Sequence, residues 1–315
     1  MKPLRSGVLA VLGVLACAAC DGGPPARTGG DDTAKGTGAR PGSSARGVVP
    51  IAFEAKKAGS RAFVFPLVEG KINGQPTRFI LDTGAGAHAL DSAAAAAAQL
   101  GSPAKASSIS IDGWGALPEH AVAVRDLPAA VRAHGIGGII APQLLVESAD
   151  QTVVVDLLNL QLRMLPKSTA ATALADLGPS LSGGSGQKLC PDDVDGIPGL
   201  GLVVDATVDG EPTRLALDTG ASRSILVEGS KAAARALLHP VLGRSVAVGA
   251  SADVATSIYG GVPFTAGAWT STVDVGVGVP HRSPPCGAFG RLGMDVLQQC
   301  AVAISQGDML VSCRR

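Results

Sequence analysis

The chain has 315 residues, 46% of them apolar, enough for one large domain or two lobes that each bury a core. Lysine plus arginine and aspartate plus glutamate both number 26, so the formal charge is zero. With no basic stripe or arginine-rich run, nucleic acid is not an expected partner. The 42 glycines and only 3% aromatic residues suit short strands joined by many turns better than a helix bundle.

The first twenty residues read as an export signal. Lys2 and Arg5 form a charged start, and residues 7–19 are an apolar run too short to cross a bilayer comfortably as a helix. The run ends in Val14-Leu15-Ala16-Cys17-Ala18-Ala19-Cys20, which resembles the lipobox of bacterial lipoproteins. That resemblance implies lipidation of Cys17, which has Val14 at the usual aliphatic position, or of Cys20. Secretion with ordinary cleavage is the alternative. By either route the chain is exported, and the anchored form belongs to the cell envelope. Residues 21–47 hold glycine, serine, threonine, proline and mixed charges with almost no large apolar side chain. Such a segment buries too little to offset its chain entropy, so it reads as a flexible tether rather than a propeptide.

Two halves follow, residues 48–166 and 198–315, joined by a serine-, glycine- and proline-rich connection at 167–197. In the first half, residues 62–72 are strand-like, Asn73-Gly74 turns, and residues 75–81 return. The second half repeats this with residues 202–208, Asp209-Gly210 and residues 211–217. Asn-Gly and Asp-Gly both tolerate the positive φ angles of a type I′ hairpin turn. A short helix is predicted after each hairpin: Ser92 capping residues 93–100, and Ser230 capping residues 231–238 before Pro240. Each half then closes on a related segment, Gly138-Ile139-Ile140-Ala141-Pro142-Gln143-Leu144-Leu145 in one and Gly290-Arg291-Leu292-Gly293-Met294-Asp295-Val296-Leu297 in the other. Strand pairs are expected at 152–165 and 301–312. An internal duplication is the simplest account.

The duplicated hairpins end in matched motifs. The first reads Pro76-Thr77-Arg78-Phe79-Ile80-Leu81-Asp82-Thr83-Gly84-Ala85, the second Pro212-Thr213-Arg214-Leu215-Ala216-Leu217-Asp218-Thr219-Gly220-Ala221. A lone Asp-Thr-Gly is a common turn former. Two copies in matched frames can instead bring two carboxylates together on a pseudo-twofold axis. Two carboxylates at hydrogen-bonding distance cannot both ionise, so they share a proton. The ionised one can take a proton from a water molecule while the protonated one donates to a carbonyl oxygen.

With these motifs the chain resembles the retropepsin and pepsin superfamily of aspartic peptidases, over roughly residues 60–166 and 198–315. The resemblance implies an all-β, acid-protease-like double barrel of two duplicated lobes with short helices. It implies an aspartic endopeptidase acting on polypeptides, with Asp82 and Asp218 as the catalytic pair and no cofactor. Thr83 and Thr219 would lock the pair by bonding across to the opposite loop, and Gly84 and Gly220 would let the loops approach. A hairpin flap is implied within residues 107–123, with Trp114 near its tip, although packing of Trp114 on its own lobe is an equal reading. The superfamily usually has a flap tyrosine and a glycine at position 141, and this chain has neither: its one tyrosine is Tyr259. A catalytically silent envelope scaffold of the same fold is the alternative function. Both Asp-Thr-Gly units being intact favours the enzyme. A monomer with internal twofold symmetry is expected.

Other signals are weak. His88, His120, His134, His239 and His281 lack metal-ligand spacing, so no metal is expected. Gly276 and Gly278 lack the rest of a dinucleotide loop, and no Gly-x-Ser-x-Gly elbow occurs. Four cysteines remain beyond the signal, an even number suited to disulfides in an exported protein. With a two-residue turn at Gln306-Gly307, Cys300 falls opposite Cys313 at a non-hydrogen-bonded pair, where Cα atoms lie about 4.5 Å apart. Cys190 and Cys286 are left to pair with each other.

Overall fold

A computed structural model describes residues 47–53, 65–101, 104–176, 178, 188–247, 249–250 and 254–314. The signal segment with Cys17 and Cys20, and residues 21–46 of the tether, lie outside the described residues.

The two hairpins form in the frames their turn residues dictate. Strands Pro66–Ile72 and Gln75–Leu81 meet at Asn73-Gly74, with φ of 47° and 83°. Strands Leu200–Val208 and Glu211–Leu217 meet at Asp209-Gly210, with φ of 47° and 80°. These are the left-handed angles a type I′ turn requires. Each returning strand is exposed near the turn and ends on three fully buried residues, Phe79-Ile80-Leu81 and Leu215-Ala216-Leu217. Burial thus anchors the very residues that precede each aspartate.

The closing segments then lie parallel to these strands. Ile139 pairs with Ile80 and Ile140 with Leu81, while Arg291 pairs with Ala216 and Leu292 with Leu217. Asp82 N–H donates to the Ile140 carbonyl and Asp218 N–H to that of Leu292, both at 2.9 Å. The repetition extends to side chains. Ala141 N–H donates to His88 Nδ1 at 3.1 Å, and at the matching place Gly293 N–H donates to Ser224 Oγ at 3.0 Å.

A third sheet joins the halves. Strand Gln151–Asp156 lies against Gln161–Pro166 on one side and Cys300–Ser305 on the other, and Met309–Cys313 completes the second pair. Thr152 faces Ser305 across the junction, with their hydroxyls 2.6 Å apart. The expected strand pairs are both present, but their pairing with each other was not legible in the sequence. The chain is an all-β double barrel of two lobes with short helices, the longest described one being Lys167–Ala175.

Three local expectations need correction. Helix Ser92–Ala97 is capped by Asp91 rather than Ser92, because the Asp91 carboxylate, at the end of strand Ala89–Asp91, accepts from Ala93 N–H at 3.1 Å. It also ends three residues short of Leu100. Helix Lys231–Ala236 is capped by Ser230 as read, and ends two short of Leu238. The segment 167–197, read as a connection, carries regular structure of its own. It contains helix Lys167–Ala175, which buries Ala170 and Leu174 against the central sheet, and strand Lys188–Pro191, which pairs with Leu200–Val208.

Both disulfides are present. Cys300 lies opposite Cys313 with Cα atoms 4.0 Å apart, and Ser305 N–H donates to the Asp308 carbonyl across the Gln306-Gly307 turn. Cys190–Cys286, with Cα atoms 5.9 Å apart, ties the connecting strand to the loop before the second closing segment. Such bonds suit an oxidising compartment. No helix among the described residues is long and apolar enough to cross a membrane.

Candidate active site

The two Asp-Thr-Gly loops meet between the lobes. Thr83 N–H donates to Thr219 Oγ1 at 3.0 Å, and Thr219 N–H donates to Thr83 Oγ1 at 3.1 Å. The Thr219 hydroxyl in turn donates to the Leu81 carbonyl at 2.6 Å. Both threonines are completely buried, so these donors have no water to fall back on and the loops are held in one arrangement. The glycines are steric necessities. A Cβ on Gly84 would overlap the Asp218 carboxyl group, and one on Gly220 would overlap that of Asp82.

Asp82 and Asp218 are each 5% exposed and lie close enough that the charge of Asp218 acts on Asp82. Their surroundings differ. Asp82 Oδ1 accepts from the backbone N–H of Gly84 at 2.8 Å and from that of Gly220, across the axis, at 3.2 Å. Asp218 Oδ2 instead accepts from Arg291 Nη1 at 2.5 Å. Burial, and then the negative charge of Asp218, push the Asp82 carboxyl up to about 7, against smaller opposing effects of Gly84 N–H and Arg291. Burial opposes the charge on Arg291, but the ion pair with Asp218 more than offsets it and raises the guanidinium above its ordinary value. Burial and the charge of Asp218 thus favour the protonated form of Asp82, and Arg291 lies on the Asp218 side of the pair.

Arg291 was not singled out from the sequence, yet a signal existed. It is the one charged residue in a strand whose counterpart carries the fully buried Ile139 at the same place. The reason it is tolerated is the carboxylate it meets. Similarly, Gln143 and Asp295 occupy matching places after the closing strands. Gln143 Nε2 donates to the carbonyls of Ala85 and Leu200, whereas the Asp295 carboxylate accepts from Ser224 N–H and Oγ. Both brace the loop that follows an aspartate.

A cleft opens beside the pair. Its walls include Gly84 to Ala87 and Arg125 from the first lobe, and Ala221, Ile225, Gly249, Ala250 and Arg291 from the second, with Arg282 at one side. Ala250 N–H donates to the Gly220 carbonyl at 2.7 Å, so a segment of the second lobe rests directly on the second Asp-Thr-Gly loop. Trp114 takes no part in this cleft. The hairpin of strands Ile109–Ile111 and Gly115–Ala116 is present, but Trp114 is 5% exposed and belongs to the main core cluster, which also holds Ile109, Ile111 and Val49. The large apolar area of an indole favours that burial over a place at a solvent-facing tip. Of the two readings of Trp114, packing on its own lobe is the one observed.

No group of three or more candidate metal ligands occurs among the described residues. His88 is fully buried; burial, aided by His120, pushes it down to about 3, and its Nδ1 accepts from Ala141. It is a neutral core residue.

Residues 68–154 match a protein-family model described as aspartyl protease. The matched stretch contains the first hairpin, Asp82-Thr83-Gly84 and the first closing segment. Among solved structures, the chain is similar to a retropepsin-like aspartic protease from Rickettsia conorii, at 18% identity over 41% of this chain and 91% of that one, with a TM-score of 0.26. It is also similar to an aspartic proteinase from Irpex lacteus, at 10% identity over 85% of this chain and 97% of that one, with a TM-score of 0.42. No curated protein matches the chain.

Proposed function

We propose that this protein is an aspartic endopeptidase, hydrolysing peptide bonds with a water molecule activated between Asp82 and Asp218. The observation that carries the reading is the reciprocal bonding of Thr83 and Thr219, which holds two buried carboxyl groups close together beside an open cleft. The family match over residues 68–154 supports it. In this scheme the carboxylate of Asp218 takes a proton from the water, and Asp82, which carries the shared proton, donates to the substrate carbonyl as the tetrahedral intermediate forms. No side chain attacks the substrate, so no acyl-enzyme accumulates.

The test is cleavage of an unfolded protein across pH. Asp82→Asn and Asp218→Asn should each abolish cleavage, and the double variant should be no worse than either, because residues acting as one unit are not additive. Full activity in either single variant defeats the proposal.

One observation favours a second reading. Arg291 sits on a catalytic carboxylate, and a silent binding protein of this fold could keep such an ion pair indefinitely. Well-folded protein without activity on varied substrates at any pH would favour that alternative. For localisation, the apolar run ending at Cys17 and Cys20 supports a lipid-anchored envelope protein. Labelled palmitate should enter the wild type and not a variant with both cysteines changed to serine; unlabelled, soluble wild type rejects the anchor.

A further inference from the structure

Three arginines line the cleft beside the aspartate pair, and two of them are already neutralised. Arg291 is bound to Asp218. Arg282 makes a two-pronged pair with the Asp192 carboxylate and also donates to the Asp193 carbonyl at 2.7 Å. Arg125 differs. It ends strand Ala121–Arg125, its Nε is buried with no hydrogen-bond partner, and no carboxylate among the described residues pairs with it.

The strand register explains why no internal partner reaches it. Arg125 lies opposite Asp91 on the neighbouring parallel strand, but the Asp91 carboxylate is already taken by Ala93 N–H, by Leu127 N–H and by Arg132 at 3.9 Å. The next residue, Asp126, is exposed, and successive residues of an extended chain point to opposite sides. Among the described residues the charges of the cleft therefore do not cancel. The single charge of the aspartate pair meets Arg291, Asp192 meets Arg282, and Arg125 is left over.

We propose that Arg125 is a specificity-determining residue that receives an acidic side chain, aspartate or glutamate, of a polypeptide lying in this cleft. This rests on the cleft being a polypeptide site, as proposed above. A guanidinium offers a planar fork of donors that matches a carboxylate, and a half-buried one holds it more tightly than an exposed one because less water competes.

The experiment uses the full-length protein carrying Asp82→Asn, so that binding is read whether or not hydrolysis occurs. The probes are fluorescein-labelled peptides of otherwise neutral sequence, with glutamate or glutamine placed at each position in turn, and the readout is anisotropy. At one position or more the glutamate peptide should bind on the order of tenfold tighter than its glutamine twin. Adding Arg125→Gln should erase that ratio, Arg125→Lys should keep part of it, and Arg125→Glu should favour a lysine peptide at the same position. Equal binding of the twins at every position overturns the proposal, and so does a ratio that survives Arg125→Gln. A preserved glutamate preference together with no hydrolysis by the unsubstituted protein would count against the peptidase reading alone.

Discussion

Asp82→Asn removes a proton-binding site while keeping the size and shape of the side chain, so its effect on stability across pH reads the proton that the pair retains. In the folded chain Asp82 titrates at about 7, against 3.8 for an ordinary aspartate, because burial and the charge of Asp218 disfavour its carboxylate. A carboxyl whose value is raised on folding stabilises the fold below its unfolded value. That contribution is lost as pH rises through the folded one. Taking the wild type from about pH 4 to about pH 8 therefore costs about 4 kcal/mol at this one residue. Asparagine has no such cost. The variant should lie within about 1 kcal/mol of wild type at the acid end and exceed it by several kcal/mol at the alkaline end. Urea unfolding, followed by the fluorescence of the buried Trp114 and Trp269, gives the difference at each pH. His88 acts in the opposite sense. Its folded value of about 3 means that the unfolded chain gains a proton first, and stability falls as pH drops below 6.5. That slope is common to both proteins and cancels in the comparison. A gain that is flat across pH, or largest in acid, would refute a proton retained by the pair up to about pH 7.

The other expectations concern the groups around the pair. Thr219→Val removes an accepted and a donated hydrogen bond, whereas Thr83→Val removes one accepted bond among those described. The first should cost about 2–3 kcal/mol and the second about 1–2 kcal/mol in urea unfolding, and the reverse order would contradict the description of the loops. Arg291→Leu leaves the buried charge of the pair without its counter-ion and should cost about 3 kcal/mol or more near neutral pH. It also removes a positive charge that holds Asp82 down, so the alkaline limb of the cleavage profile should move to higher pH. A limb that stays in place or moves to lower pH would show that Arg291 does not act on the pair.

Much of this site is written locally. Asn73-Gly74 and Asp209-Gly210 each fix a hairpin by the backbone angles they tolerate, and the hairpin length then fixes the position of the aspartate that follows. The Cys300–Cys313 pairing followed from counting outward from Gln306-Gly307. These are short-range consequences of residue type and spacing. Errors arose where two local solutions compete. Asp91 and Ser92 are adjacent and both able to cap a helix, and only the strand that ends at Asp91 decides between them. Trp114 was equally readable as flap or core, because burial depends on what surrounds it and not on its neighbours in the chain.

By itself, then, the sequence determined that two equivalent strand-turn-strand units each deliver an aspartate, a threonine and a glycine in the same frame. Only the tertiary structure decided what those groups meet. Thr83 bonds to Thr219, and strand Gln151–Asp156 pairs with Cys300–Ser305, across separations no local pattern encodes. Arg291 looks like a flaw in an apolar strand until the fold sets it against Asp218. The symmetry of the motifs is local, and the asymmetry of their charge is tertiary, because electrostatic environment is set by every group that burial brings near.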